Sequence, residues 1–184
     1  LFVAFADMEI YEELTPEVLI PALKRQIFTP HWVIDANLSE ESIKAIVEQA
    51  TPAQRIWGVG VAAWKARRLL SGFPHWQGLF LNKEELFSMS GESTVEQGIG
   101  VLLDRSCPLV VVSAGNKGVY FSEHGLIKHR PCPKSLVVDV TGAGDALVAG
   151  ILYGLFKEED LEKAIQRGFD AAGRILGTFD SFLS

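Results

Sequence analysis

Along the chain, short blocks of consecutive apolar residues alternate with stretches whose apolar positions recur every three or four residues. The first kind reads as buried strand, the second as amphipathic helix. "LFVAFA" (1–6), "HWVIDA" (31–36), "RIWGVGV" (55–61), "WQGLFLN" (76–82) and "LVVVSAG" (109–115) have the strand pattern. Helices are predicted over 15–28, 39–50, 62–70, 95–105, 146–156 and 161–176, and the strand at 76–82 leads into "KEELFSMS". In 39–50, Ile43, Ile46 and Val47 fall on one face, and Ser39 stands where an N-cap belongs. Thr15 and Pro16 give the helix at 15–28 a similar start, with proline at the first helical position.

Beyond residue 115 the rhythm changes. "GVYFSE", "GLIKHR" and "SLVVDV" are short and separated by turn residues, so they read as strands with tight connections. The repeated strand–helix alternation predicts an α/β layered fold with a mostly parallel sheet, built as one domain over 1–184. In such sheets ligands bind beyond the carboxyl ends of the strands. Three segments fall there: Asn82–Glu85, Ser113–Gly118 and Asp139–Asp145.

Composition narrows the partners. The chain is 48% hydrophobic and 22% charged, with a net charge of −6, which fits a soluble globular protein. That charge argues against broad binding to nucleic acid or to an anionic membrane. The apolar runs are too short for a membrane span, and "LFVAFADMEI" has no basic leader. Cys107 and Cys132 lack metal-like spacing and read as thiols of a reducing cytoplasm. The four histidines are scattered, without the pairing of a zinc site.

The chemistry concentrates in "VVDVTGAGDALVAG" (137–150). Gly142 and Gly144 let backbone amides approach a ligand closely, and the helix starting near Ala143 offers free N–H groups to an anion. A carboxylate there is costly unless it has a task. Proton acceptance by Asp145 from an attacking hydroxyl, while the turn's amides hold a transferring phosphoryl group, is such a task. Thr141 can add a hydroxyl donor, and Asp139 can shape the turn or join a cation site. The turn is not a Walker loop, which needs a lysine and a hydroxyl after the last glycine. Nor is it a dinucleotide fingerprint, because Asp145 would repel a pyrophosphate.

This turn resembles the signature of the PfkB, or ribokinase-like, carbohydrate kinase family. The resemblance implies a ribokinase-like three-layer α/β/α fold, Asp145 as catalytic base, and an anion hole of Gly142, Ala143 and Gly144. Asn82 and Glu85 match the family's Asn-x-x-Glu motif, which organises Mg²⁺ and the phosphates; alone, the same pair also reads as a helix cap. Ser113, Ala114, Gly115, Asn116, Lys117 and Gly118 resemble the turn that lies along the nucleotide, although an ordinary hairpin has the same pattern. Asp170 falls near a position where a polar residue approaches the adenine. The implied ligands are ATP, Mg²⁺ and a monovalent cation such as K⁺.

"ADMEIYEELTPEVL", "VIDANLSEES" and "WGVGVAAWKARRL" most resemble the pseudouridine kinase branch. That branch tends to carry a Pro-Val-Ser segment before its lysine; here the run is Gly60-Val61-Ala62-Ala63-Trp64-Lys65. Lys65 reads as a surface or structural residue, and Asn37 as a turn residue on the ligand side. The implied acceptor is a small sugar or nucleoside, with pseudouridine first and ribose, fructose or a keto-deoxy sugar acid as alternatives. Family members carry further strands and a β-rich lid ahead of "LFVAFADMEI". The resemblance therefore implies that the N-terminal strands and lid are missing, and that a homo-oligomer could cover the exposed edge. A non-catalytic nucleotide-binding remnant is the reading from another class.

Overall fold

The computed structural model describes residues 9–25, 28–133 and 142–183, with side chains described as far as residue 175. The expected strands at 1–6 and 135–140, and with them Asp139 and Thr141, lie outside the described residues. The chain divides into two compact units, residues 1–110 and 111–184. The unit boundary falls inside a strand, and no linker composition marks it.

In the first unit the order is α1 (Pro16–Lys24), β1 (His31–Asp35), α2 (Glu40–Val47), β2 (Arg55–Val59), α3 (Ala63–Ala66), β3 (Trp76–Asn82), α4 (Lys83–Ser90) and α5 (Val95–Asp104). β1, β2 and β3 pair in parallel, with Val33 opposite Trp57 and Gly58 opposite Leu79. Each crossover carries a helix, as parallel neighbours require. Ile43, Ile46 and Val47 of α2 are buried as their spacing predicts, and Ser39 Oγ accepts the Ser42 N–H at 3.1 Å. Thr15 holds the N-cap position of α1 with Pro16 behind it, but its side chain makes no cap bond. Trp76, Leu79 and Phe80 of β3 are buried, as are Leu69, Leu86, Ile99 and Leu102.

The helix expected over 62–70 is only partly α-helical. α3 ends at Ala66, and Arg67–Gly72 winds on as a 3-10 helix. A tertiary contact accompanies the change. The Trp76 indole N–H donates to the Leu69 carbonyl at 2.9 Å, and its ring lies against Gly72.

The second unit holds β4 (Val110–Ser113, from its second residue), β5 (Val119–Glu123), β6 (Leu126–Arg130), α6 (Ala143–Phe156) and α7 (Leu161–Leu183). β4, β5 and β6 pair antiparallel through tight turns, as their short spacing predicts. Phe121, Ile151 and Ile165 are fully buried. Arg130 ties β6 to α7: one guanidinium nitrogen donates to the Glu162 carbonyl at 2.7 Å, another bonds Gln166, and the group lies 5.9 Å from the Phe169 ring. Among the described residues, no helix is long and apolar enough to cross a membrane.

The two cysteines differ in reactivity. Burial pushes the Cys107 thiol up to about 12, and its S–H donates to the Leu109 carbonyl at 3.2 Å. A thiol with that pKa is almost wholly protonated at pH 8, and only the thiolate is nucleophilic. Cys132 is partly exposed, though burial raises its pKa too. Iodoacetamide at pH 8 should therefore label Cys132 in the folded protein and spare Cys107 until denaturant is added. Peptide mapping would read this, and early labelling of Cys107 would contradict its burial.

Candidate active site

The carboxyl ends of the first unit's strands hold Asn82 and Glu85. Asn82 ends β3 and caps α4: its Oδ1 accepts the Glu85 N–H at 2.8 Å, and the Asn82 N–H donates to Glu85 Oε2 at 2.8 Å. This reciprocal capping box makes the helix-cap reading a fact of the structure. Glu85 is nevertheless only 3% exposed, far more buried than a cap needs. Its carboxylate lies against the backbone of Gly60, where a Cβ would stand 2.1 Å from Oε2. The missing Cβ leaves room for the carboxylate where it lies; the sequence alone assigns Gly60 no role of its own. Its N–H donates to the Phe80 carbonyl at 2.8 Å, holding that backbone in place.

A second polar cluster occupies the carboxyl ends of β1 and β2. The Asn37 N–H and amide donate to the two Asp35 carboxylate oxygens at 2.8 and 3.2 Å. Lys65 Nζ donates to Asn37 Oδ1 at 2.7 Å, and Arg68 donates to the Asn37 carbonyl at 2.8 Å. Lys65 is buried, so of the two readings offered for it the surface one fails.

In the second unit, Ser113–Gly118 forms the β4–β5 turn. The Ala114 N–H donates to the Gly118 carbonyl at 2.8 Å, and a 3-10 turn spans Gly115–Lys117. Gly115, Asn116 and Lys117 are exposed, whereas Gly118 is buried. Gly142 holds the N-cap position of α6 with φ +95° and, being a glycine, brings no capping side chain of its own. Ser39, Asn82 and Thr94 close α2, α4 and α5 with side-chain bonds, whereas α1 and α3 begin, like α6, without one. Gly144 and Asp145 are exposed in its first turn. Unpaired N–H groups and the dipole make such a start favourable to an anion. Asp170 is exposed on α7 and accepts the Gln166 amide at 2.8 Å.

The structure therefore brings Asn82 and Glu85 into direct contact, gathers Ser113–Gly118 in one turn, and sets Gly142, Ala143, Gly144 and Asp145 at one helix start. Asp170 stands on the exposed face of its own helix, bonded within it. Among the described residues, no group of three or more His, Cys, Asp or Glu side chains could hold a metal ion. Glu85 and Asn82 do offer hard oxygen donors, one of them a buried carboxylate, which suits a Mg²⁺ that keeps most of its waters.

Comparison with known proteins matches residues 25–180 to the pfkB family of carbohydrate kinases. A fructokinase of Klebsiella pneumoniae is 43% identical over 76 residues, 41% of this chain and 25% of that protein. A pseudouridine kinase of Escherichia coli is 29% identical over 157 residues, 82% of this chain and 50% of that protein. Among solved structures, a carbohydrate kinase from Agrobacterium tumefaciens superposes with a TM-score of 0.78 at 28% identity, covering 93% of this chain and 56% of its own. The expected ribokinase-like α/β fold is the fold of this chain. The chain spans a quarter to a half of the length of these two curated relatives. With the family model matched over most of its length, this chain belongs to the pfkB family of carbohydrate kinases.

Proposed function

We propose that the chain carries the nucleotide and catalytic part of a cytoplasmic, ATP-dependent kinase acting on a hydroxyl of a small sugar or nucleoside. The observation that supports this is the start of α6: a helix opened by a left-handed glycine at its N-cap, with an exposed carboxylate in its first turn. Asp145 takes the proton of the acceptor hydroxyl. The acceptor oxygen bonds to the γ-phosphorus, the bond to the β-phosphate oxygen breaks, and ADP leaves. The amides of Gly142, Ala143 and Gly144, with the Thr141 hydroxyl, hold charge on the transferring oxygens. The nucleotide lies along Ser113–Gly118, with Asp170 toward the adenine. Asn82, Glu85 and Asp139 would hold Mg²⁺ largely through its waters, and the ion would neutralise phosphate charge. A monovalent cation such as K⁺ belongs to the same reading.

Pseudouridine is the acceptor favoured here, supported by the span of the match to the E. coli pseudouridine kinase. Fructose is the rival, because the shorter match to the Klebsiella fructokinase has higher identity. The test is ADP release with Mg·ATP and pseudouridine, ribose, fructose or uridine. Release that depends on one acceptor would support the reading and name the substrate. Nucleotide binding without acceptor-dependent release would remove phosphoryl transfer from it.

Glu85→Gln separates cap from metal. The amide oxygen can still accept the Asn82 N–H, so α4 should keep its cap. The negative charge is gone, so the Mg²⁺ concentration needed for half-maximal transfer should rise severalfold. An unchanged magnesium titration would confine Glu85 to the cap.

A further inference from the structure

We propose that Lys65, presented by Asn37, is an oxyanion-binding cation at the carboxyl ends of β1 and β2, and that its ligand is a phosphate group. Its ammonium belongs to a residue only 8% exposed. A buried ammonium is tolerated when a counter-charge or a full set of acceptors replaces water. Lys65 has neither among the described residues. Of its three donors, one reaches Asn37 Oδ1 at 2.7 Å, and it forms no ion pair. Nζ also lies 5.2 Å from the Trp64 ring centroid. Two donors have no acceptor among the described residues and can serve a ligand.

The surroundings orient that charge instead of cancelling it. Asp35 spends both carboxylate oxygens on Asn37, which turns the amide so that Oδ1 faces Lys65. Arg68 pins the same turn through the Asn37 and Leu38 carbonyls and lies 5.1 Å from the Trp64 ring. In a chain of net charge −6, two cations thus stand in one cluster with a single carboxylate already engaged. The cluster lies outside the carboxyl ends of adjacent parallel strands, where ligands of such sheets bind. A compact, many-oxygen anion uses two free N–H donors and a positive charge together, which makes phosphate the fitting chemistry. That this phosphate belongs to a kinase substrate rests on the proposed function; the anion site itself does not.

The test compares the unmodified chain with Lys65→Met and Lys65→Arg. Calorimetry measures binding of inorganic tripolyphosphate, Mg·ATP and a sugar phosphate, and thermal unfolding is followed in parallel. The methionine variant should weaken tripolyphosphate binding by about tenfold or more. The arginine variant should restore most of it. The Tm of Lys65→Met should hold or rise, because an uncompensated buried charge has been removed. A lysine with a purely structural role would give the reverse: a lower Tm, unchanged binding and no rescue by arginine. Either that pattern, or no tripolyphosphate binding by the unmodified chain, overturns the proposal. Competition by Mg·ATP would assign the site to the nucleotide, and competition by the sugar phosphate alone to the acceptor side. Lys65-dependent tripolyphosphate binding in a chain that transfers no phosphate would leave the site standing and sink the kinase reading. Normal transfer and binding in Lys65→Met would do the opposite.

Discussion

Asp145→Asn is expected to lower phosphoryl transfer by about 10²–10⁴-fold while leaving Mg·ATP binding equal or slightly tighter. The amide has the carboxylate's size but cannot accept the acceptor's proton. Asp145 is exposed in the first turn of α6, so the fold does not depend on its packing. The helix loses only a favourable charge at its positive end, about 0.3–1 kcal/mol. A small fall in Tm should therefore accompany a large fall in transfer. Binding should not suffer, because a negative charge leaves the neighbourhood of the bound phosphates. Acceptor-dependent ADP release and calorimetry read the two effects separately. Transfer at the unmodified rate would end the assignment of Asp145 as base. Loss of binding together with transfer would make it a structural residue of the turn.

The largest effect on stability is expected at Gly118. Its φ of +98° and ψ of −141° belong to a region open essentially to glycine alone. A Cβ there would also stand 2.1 Å from the Arg130 carbonyl oxygen, 2.6 Å from Cys132 N and 2.7 Å from the Pro131 carbonyl carbon. These are backbone atoms and cannot rotate away. Gly118→Ala should thus cost more than about 3 kcal/mol and part β5 from the segment that follows β6. Gly115 is the natural control. It also has positive φ, +56°, but nothing lies within 4 Å of its Cβ position. Gly115→Ala should cost only the local strain, about 1–2 kcal/mol. Urea melts of the two variants would measure the difference. Equal losses would mean that the turn's dihedrals, and not the close approach to β6, set the requirement.

Features governed by neighbouring residues were legible from the chain alone. The strands at 31–36, 55–61 and 76–82 were visible as apolar blocks, and the face of α2 as a helical period. Ser39 and the Asn82–Glu85 pair act within one helical turn, so their spacing is enough to reveal them. The glycine turn before α6 is local in the same sense, because its backbone freedom and the helix amides come from consecutive residues. The family followed from that turn and the Asn-x-x-Glu spacing.

Other features depend on residues far apart in the chain. The second half of the helix expected over 62–70 is a 3-10 helix, and its Leu69 carbonyl is taken by the Trp76 indole. Gly60 matters only because Glu85, twenty-five positions later, lays its carboxylate on that backbone. Lys65 reads from the sequence as a surface or structural residue; it is buried and bonded to Asn37, twenty-eight positions earlier. Apolar periodicity tells which face turns inward, since burying apolar area is non-directional and needs no particular partner. A buried charge needs a specific donor or acceptor at a specific distance, so its burial is decided only when distant elements meet.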